Sequence, residues 1–108
     1  MTHFDRISAE QVSQKLASGP ATLIDIRDKT SFGTGHINAA HHIDNQGVAT
    51  FLDEADKALP LIVYCYHGNS SQSAARFFAE QGFVEVYSMD GGFEAWRTLF
   101  PGTIDSDS

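Results

Sequence analysis

The alternation of apolar and polar positions divides the chain into short elements. Apolar runs typical of buried β-strands lie at residues 21–26, 40–43, 61–65 and 84–89. Apolar residues recur at helical spacing in four further segments, residues 7–20, 47–59, 71–83 and 91–100. Strands that alternate with helices are typical of an α/β domain, so we expect a mainly parallel central sheet flanked by helices on both faces.

The first helix has the clearest sequence boundaries. Ser8 is a suitable N-cap, and Gln11 stands three residues later, where a capping box requires Glu or Gln. Gly19 and Pro20 follow the periodic segment and are expected to end the helix. The segment from Ile7 to Pro20 is therefore predicted to be a capped helix.

The composition favours one globular domain over the whole chain, residues 1–108. A chain of 108 residues with 42% apolar residues is long enough to bury a single core. Residues 103–108 are polar, and we expect them to form a frayed tail. No long apolar run predicts a membrane span, and the first residues lack a secretory signal pattern, so we expect a cytoplasmic protein.

The charge distribution argues against nucleic acid as a partner. The formal net charge is −7, and the seven Lys and Arg residues are scattered rather than clustered. Binding to phosphate backbones requires a basic run or stripe, which this sequence does not have. An anionic substrate would have to be held by local groups, because the overall field repels it.

Cys65 is the only cysteine in the chain and stands where a predicted strand ends. The residues that follow include Gly68, Asn69 and Ser70, which suit a tight turn into a helix. Amides in such a turn and at a helix N-terminus can bind an anion and lower the pKa of a thiol. A buried structural thiol is the alternative interpretation, but the Gly/Asn/Ser loop favours a nucleophile at the mouth of the loop.

Three stretches, in order along the chain, resemble the signatures of rhodaneses. "LIDIRDKTSFGTGHINAAHHI" is similar to the first signature, "IVYCYHGNSS" to the active-site strand and loop, and "VYSMDGGFEAW" to the C-terminal signature. Together they span about residues 23–96. The short length resembles that of single-domain bacterial thiosulfate sulfurtransferases of the GlpE type.

This resemblance implies a single rhodanese-like domain that works by double displacement. Cys65 would take the sulfane sulfur of thiosulfate as a persulfide, release sulfite, and pass the sulfur to cyanide or to a dithiol protein such as thioredoxin. Asp25 and Arg27 would give structural support, and neither a metal nor another cofactor is implied. The loop that would bind the anion through its amides consists of Tyr66, His67, Gly68, Asn69 and Ser70.

The loop departs from the rhodanese pattern in its side chains. Many rhodaneses have Arg directly after the cysteine, where this chain has Tyr66, so we expect weak binding of thiosulfate. A cysteine phosphatase would need Arg six positions after the cysteine, where this chain has Ser71, which excludes that class. A persulfide carrier and a non-catalytic rhodanese module that binds a protein partner through the same loop remain the alternatives.

Overall fold

The fold is built on a five-stranded sheet in which neighbouring strands are all parallel. The structure is a computed structural model that describes residues 3–107, so positions 1, 2 and 108 of the expected domain lie outside the described residues. The strands are β1 (Asp5–Ile7), β2 (Thr22–Asp25), β3 (His36–Ile37), β4 (His41–His42), β5 (Leu61–Tyr64), β6 (Val86–Met89) and β7 (Ile104–Asp105). The helices are α1 (Ala9–Ser18), α2 (Lys29–Thr34), α3 (Val48–Glu54), α4 (Ser70–Glu80) and α5 (Gly92–Leu99).

The strand order in the main sheet is β1-β6-β5-β2-β4, which places β5 at the centre. Successive side chains of β5 point to opposite faces, and all four are buried. Leu61 and Val63 pack against α3 and α4, whereas Ile62 and Tyr64 pack against α1 and α5. A strand buried on both faces reads as a continuous apolar run, which explains the composition of this segment.

Two hydrophobic cores cover the two faces of the sheet. One is formed with Val12 of α1 and Trp96 of α5, and the other with Phe51 of α3 and Phe78 of α4. The predicted α/β fold with helices on both faces is therefore confirmed. Within residues 3–107, no helix is both long enough and apolar enough to cross a membrane.

The start of α1 follows its sequence signature. The Ser8 hydroxyl accepts a hydrogen bond from the Gln11 amide at 3.1 Å, and the Gln11 side chain accepts one from the Ser8 amide at 2.9 Å. These two bonds satisfy amide groups that the helix itself cannot pair. The predicted capping box is confirmed.

Several short elements differ from the pattern-based expectation. β1 was not predicted, and its last residue, Ile7, was assigned to the first helix. α2 and β3 lie in a stretch with no periodic pattern. The predicted helix over 47–59 ends at Glu54, because Ala55 is extended and the Asp56 side chain accepts a hydrogen bond from the Ala58 amide in the following turn. Elements this short depend on their neighbours in space more than on local sequence.

The expected frayed tail is partly structured. Pro101–Thr103 forms a 3-10 helix, and β7 pairs antiparallel with β3, so the expectation was wrong for residues 103–105. The Asp107 amide also donates a hydrogen bond to the Gly33 carbonyl at 2.8 Å. The tail is ordered because β3, which lies outside the main sheet, offers it an unpaired edge.

The carboxyl ends of β2, β5 and β6 meet at one edge of the sheet. Asp25, Tyr64 and Met89 are the last residues of these neighbouring strands. In open parallel sheets, ligands bind beyond this edge. The segments that follow the three strands therefore come together, and Cys65 is the first residue of the central one.

Because β5 lies at the centre of the sheet with all four side chains buried, substitutions in it are expected to lower the free energy of unfolding more than substitutions at the surface. Val63→Ala removes two fully buried methyl groups and is expected to lower the free energy of unfolding by about 2 kcal/mol. The matched substitution Val84→Ala alters a side chain that is 74% exposed and should change it by less than about 0.5 kcal/mol. Urea unfolding of both variants measures the difference. Equal effects would contradict the assignment of β5 as the centre of the core.

Candidate active site

Cys65 lies directly after β5 and beneath the N-terminus of α4. Its side chain is largely covered, with 7% of the residue exposed. A small cleft of about 260 Å³ opens over it. The cleft is lined by Ile26, Arg27, Asp28, Cys65, Tyr66, His67, Asn69 and Ser70.

The sulfur of Cys65 is surrounded by hydrogen-bond donors. The amides of Gly68 and Ser71 donate to Sγ at 3.2 and 3.3 Å. The Cys65 thiol donates to Ser71 Oγ at 3.4 Å, and this bond reverses when Cys65 is a thiolate, because a thiolate can only accept. Gly68 has φ +93°, which lets the chain turn so that these amides face the sulfur. Ser71 is in the first turn of α4, where amides have no partner within the helix.

These donors shift the titration of the thiol. Burial raises the pKa of Cys65, because it disfavours the charged thiolate. The Ser71 hydroxyl and the amides of Ser71, Gly68 and His67 act in the opposite direction, and the pKa is lowered below its ordinary value. The same donors that favour a thiolate can also stabilise other negatively charged sulfur species at this position.

Two backbone hydrogen bonds connect the start of α5 to Cys65 and the loop that follows it. The Phe93 amide donates to the Cys65 carbonyl at 2.8 Å, and the Glu94 amide donates to the Tyr66 carbonyl at 3.1 Å. Gly92 has φ +57°, and a Cβ at this position would collide with the Cys65 carbonyl oxygen. Gly92 therefore permits the close approach of the two backbones that these bonds require.

Asp25 and Arg27 form a buried ion pair beside the cleft. Arg27 Nη2 lies 2.6 Å from Asp25 Oδ2 and also donates to the Gly35 carbonyl at 2.6 Å. The guanidinium carbon lies 4.1 Å from the centre of the Phe93 ring and 4.9 Å from that of Tyr66. The pair thus connects the segment after β2 to α5 and to the loop after Cys65.

The residues expected to form the anion-binding loop differ in how they contribute to the site: some direct their amides to the sulfur, and others line the cleft. Gly68 and His67 contribute amides to the sulfur, although the His67 side chain is exposed. Tyr66, Asn69 and Ser70 line the cleft, and the Tyr66 hydroxyl donates to Ser31 Oγ at 2.8 Å. Gly68 has a positive φ, whereas Asn69, which was also expected to suit the turn, has a helical conformation with φ −88°.

Sequence reasoning missed two residues of the site. Ser71, which was not among the predicted site residues, places both its amide and its hydroxyl against the Cys65 sulfur. Ser88 lies behind it, with its hydroxyl 2.8 Å from that of Ser71, and both residues are fully buried. A single polar residue in the apolar strand segment "VYSM" was the available signal for Ser88.

Comparison with known proteins places this arrangement in a family. Residues 8–99 match the family described as rhodanese-like domain. The chain is 55% identical over 103 residues to thiosulfate sulfurtransferase GlpE of Pseudomonas aeruginosa, covering 95% of this chain and 93% of that protein. It is 56% identical over 101 residues to the protein of the same name from Ectopseudomonas mendocina, covering 94% and 92%.

A solved structure supports the fold independently. The solution structure of a rhodanese-like domain from Anabaena sp. superposes with a TM-score of 0.82 at 22% identity, covering 94% of this chain and 78% of that one. At this level of identity the likeness concerns the fold alone.

The geometry around the sulfur predicts a specific role for the Ser71 hydroxyl. Ser71→Ala removes one donor to the thiolate, so the pKa of Cys65 is expected to rise. Because the chain has one cysteine, the pH dependence of alkylation by iodoacetamide reports Cys65 alone. Ser73→Ala changes an exposed serine of α4 that does not line the cleft and should leave the alkylation profile unchanged. An unshifted profile in folded Ser71→Ala would contradict this role.

Proposed function

The chain belongs to the family of rhodanese-like domains, and on this premise we propose that it is a thiosulfate sulfurtransferase in which Cys65 carries the transferred sulfur. The observation that carries the proposal is the set of groups around Sγ, namely two amides that donate to it within 3.3 Å and one hydroxyl at 3.4 Å that can donate to the thiolate. The names of relatives at 54–56% identity point to the same activity.

In the first half-reaction, the Cys65 thiolate attacks the outer sulfur of thiosulfate. A bond forms between Sγ and this sulfur, and the sulfur–sulfur bond of thiosulfate breaks. Its electron pair leaves with sulfite, and Cys65 becomes a persulfide anion. Charge is conserved, since a thiolate and a thiosulfate dianion give a persulfide anion and a sulfite dianion. The lowered pKa of Cys65 increases the fraction of the attacking thiolate at a given pH.

The loop amides stabilise the persulfide in this scheme. The terminal sulfur carries the negative charge, and it extends from Sγ into the cleft bounded by Tyr66, Asn69 and Ser70. Amides of His67, Gly68 and Ser71 are already oriented toward the sulfur before reaction, so little reorganisation is needed. Tyr66, Asn69 and Ser70 belong to the proposed site because they line the cleft that the terminal sulfur enters.

In the second half-reaction, a nucleophile removes the outer sulfur. Cyanide attacks the terminal sulfur, thiocyanate leaves, and the Cys65 thiolate is restored. A dithiol protein such as thioredoxin can act in the same way, since one thiol takes the sulfur and the second releases it as sulfide by forming a disulfide. The scheme uses no metal or organic cofactor, and we place it in the cytoplasm, where the thiol stays reduced.

Sulfur uptake by Cys65 is the direct test of the proposal. After incubation with thiosulfate, the intact mass of the wild type is expected to increase by one sulfur atom, because the persulfide is covalent. Cys65→Ser should gain no mass, and cyanide should return the wild type to its original mass with formation of thiocyanate. Mass spectrometry before and after each addition measures both half-reactions.

Two outcomes would contradict parts of this scheme. If the wild type takes up no sulfur from thiosulfate but does so from a persulfide on a donor protein, the chain is a persulfide carrier. If neither donor loads Cys65, the remaining function is that of a non-catalytic module that binds a protein partner.

Substrate affinity is expected to depend on the residue after Cys65. Tyr66→Arg should lower the KM for thiosulfate several-fold, because a guanidinium beside the cleft can donate two hydrogen bonds to the anion. Tyr66→Phe removes only the bond to Ser31 and is the matched control, with a KM near that of the wild type. Steady-state kinetics with cyanide as acceptor measure both. An unchanged KM in an active Tyr66→Arg variant would rule out the missing cation as the cause of weak binding.

A further inference from the structure

Ser88 is a buried hydroxyl whose neighbours on the central strands of the sheet are apolar, although Arg6 of the edge strand β1 is also in register with it. It lies in β6, two residues after Val86, and its backbone is in register with Val63 of β5. Both valines belong to the hydrophobic core beneath α3 and α4. Burying a hydroxyl in such surroundings is unfavourable unless it is hydrogen-bonded, so packing alone does not account for a serine here.

The partner of Ser88 is the residue that contacts the nucleophile. Ser88 Oγ lies 2.8 Å from Ser71 Oγ, and Ser71 Oγ lies 3.4 Å from Cys65 Sγ. All three side chains are buried, and both serines have no exposed area. A continuous chain of two hydroxyls therefore leads from the sheet to the sulfur.

The number of protons on these three side chains restricts the direction of the hydrogen bonds between them. A hydroxyl has one proton to donate and can also accept. When Cys65 is a thiolate, its sulfur only accepts, so Ser71 can donate to it and at the same time accept from Ser88. We propose that Ser88 is a positioning residue that holds the Ser71 hydroxyl as a donor to the Cys65 sulfur.

The proposed arrangement goes beyond sulfur transfer itself and concerns the preparation of the nucleophile. A hydroxyl that accepts one hydrogen bond is a better donor of the next, because the two bonds polarise each other. Ser88 also removes the freedom of the Ser71 hydroxyl to turn away from the sulfur. The charged and titratable side chains that line the Cys65 cleft are Arg27, Asp28, Tyr66 and His67, and a change at Ser88 alters none of them.

Replacement of Ser88 by alanine tests the proposal. In Ser88→Ala, the pH dependence of iodoacetamide alkylation should move to higher pH, and the alkylation rate at neutral pH should fall roughly fivefold. Ser88→Thr keeps the hydroxyl and should retain the wild-type profile. Val86→Ala, on the same strand and face, is the control for a purely structural effect, since it should weaken the fold without moving the profile.

A double substitution shows whether Ser88 acts through Ser71. The shift caused by Ser88→Ala is expected to disappear when Ser71 is already alanine, because the hydroxyl to be positioned is absent. An equal shift in both backgrounds would overturn the proposal, and so would an unshifted profile in folded Ser88→Ala. Folding of each variant is checked by urea unfolding. Alkylation requires no sulfur donor, so these results stand even if the wild type takes up no sulfur from thiosulfate.

Discussion

The site depends on two hydrogen bonds between the start of α5 and the loop after Cys65. The Phe93 and Glu94 amides bind the carbonyls of Cys65 and Tyr66. In a trans peptide the carbonyl and the following N–H point in opposite directions. Drawing the Tyr66 carbonyl toward α5 therefore turns the His67 amide the other way, toward the sulfur, where it contributes to the lowered pKa of Cys65. Two helix N-termini are used, one to bind the loop and one, at Ser71, to bind the sulfur.

The buried ion pair gives the same loop support from its other side. Removing two charges from water is costly, and only good geometry and further hydrogen bonds compensate for this. Arg27 meets these conditions, because it binds Asp25 and the Gly35 carbonyl and lies against the rings of Phe93 and Tyr66. Its charge is largely matched by that of Asp25, so it contributes more to holding the walls of the cleft together than to attracting a free anion.

The parts of the structure that were predictable from sequence are those with a local cause. The capping box at Ser8, the buried strand β5 and the turn at Gly68 each follow from the residues that form them. β1 and β7 were not predictable, because each is defined by a partner far away in sequence. The same reason applies to Ser88, whose relation to Cys65 arises only when β6 and α4 pack together. Local sequence thus pointed to Cys65 and the loop that follows it, but not to the hydroxyls behind them.

Because the donors around Sγ are mainly backbone amides, the site distinguishes between an anion bound to Cys65 and an anion free in solution. A side-chain cation attracts a charged donor from solution, whereas amides turned toward Sγ act mainly on charge that is already at the sulfur. The net charge of −7 opposes the approach of a dianion, although salt screens this repulsion beyond about 8 Å under physiological conditions. With Tyr66 in place of an arginine and Arg27 paired to Asp25, the cleft has little local charge to offset that repulsion. We therefore expect the arrangement to stabilise the proposed persulfide on Cys65 more effectively than it captures free thiosulfate.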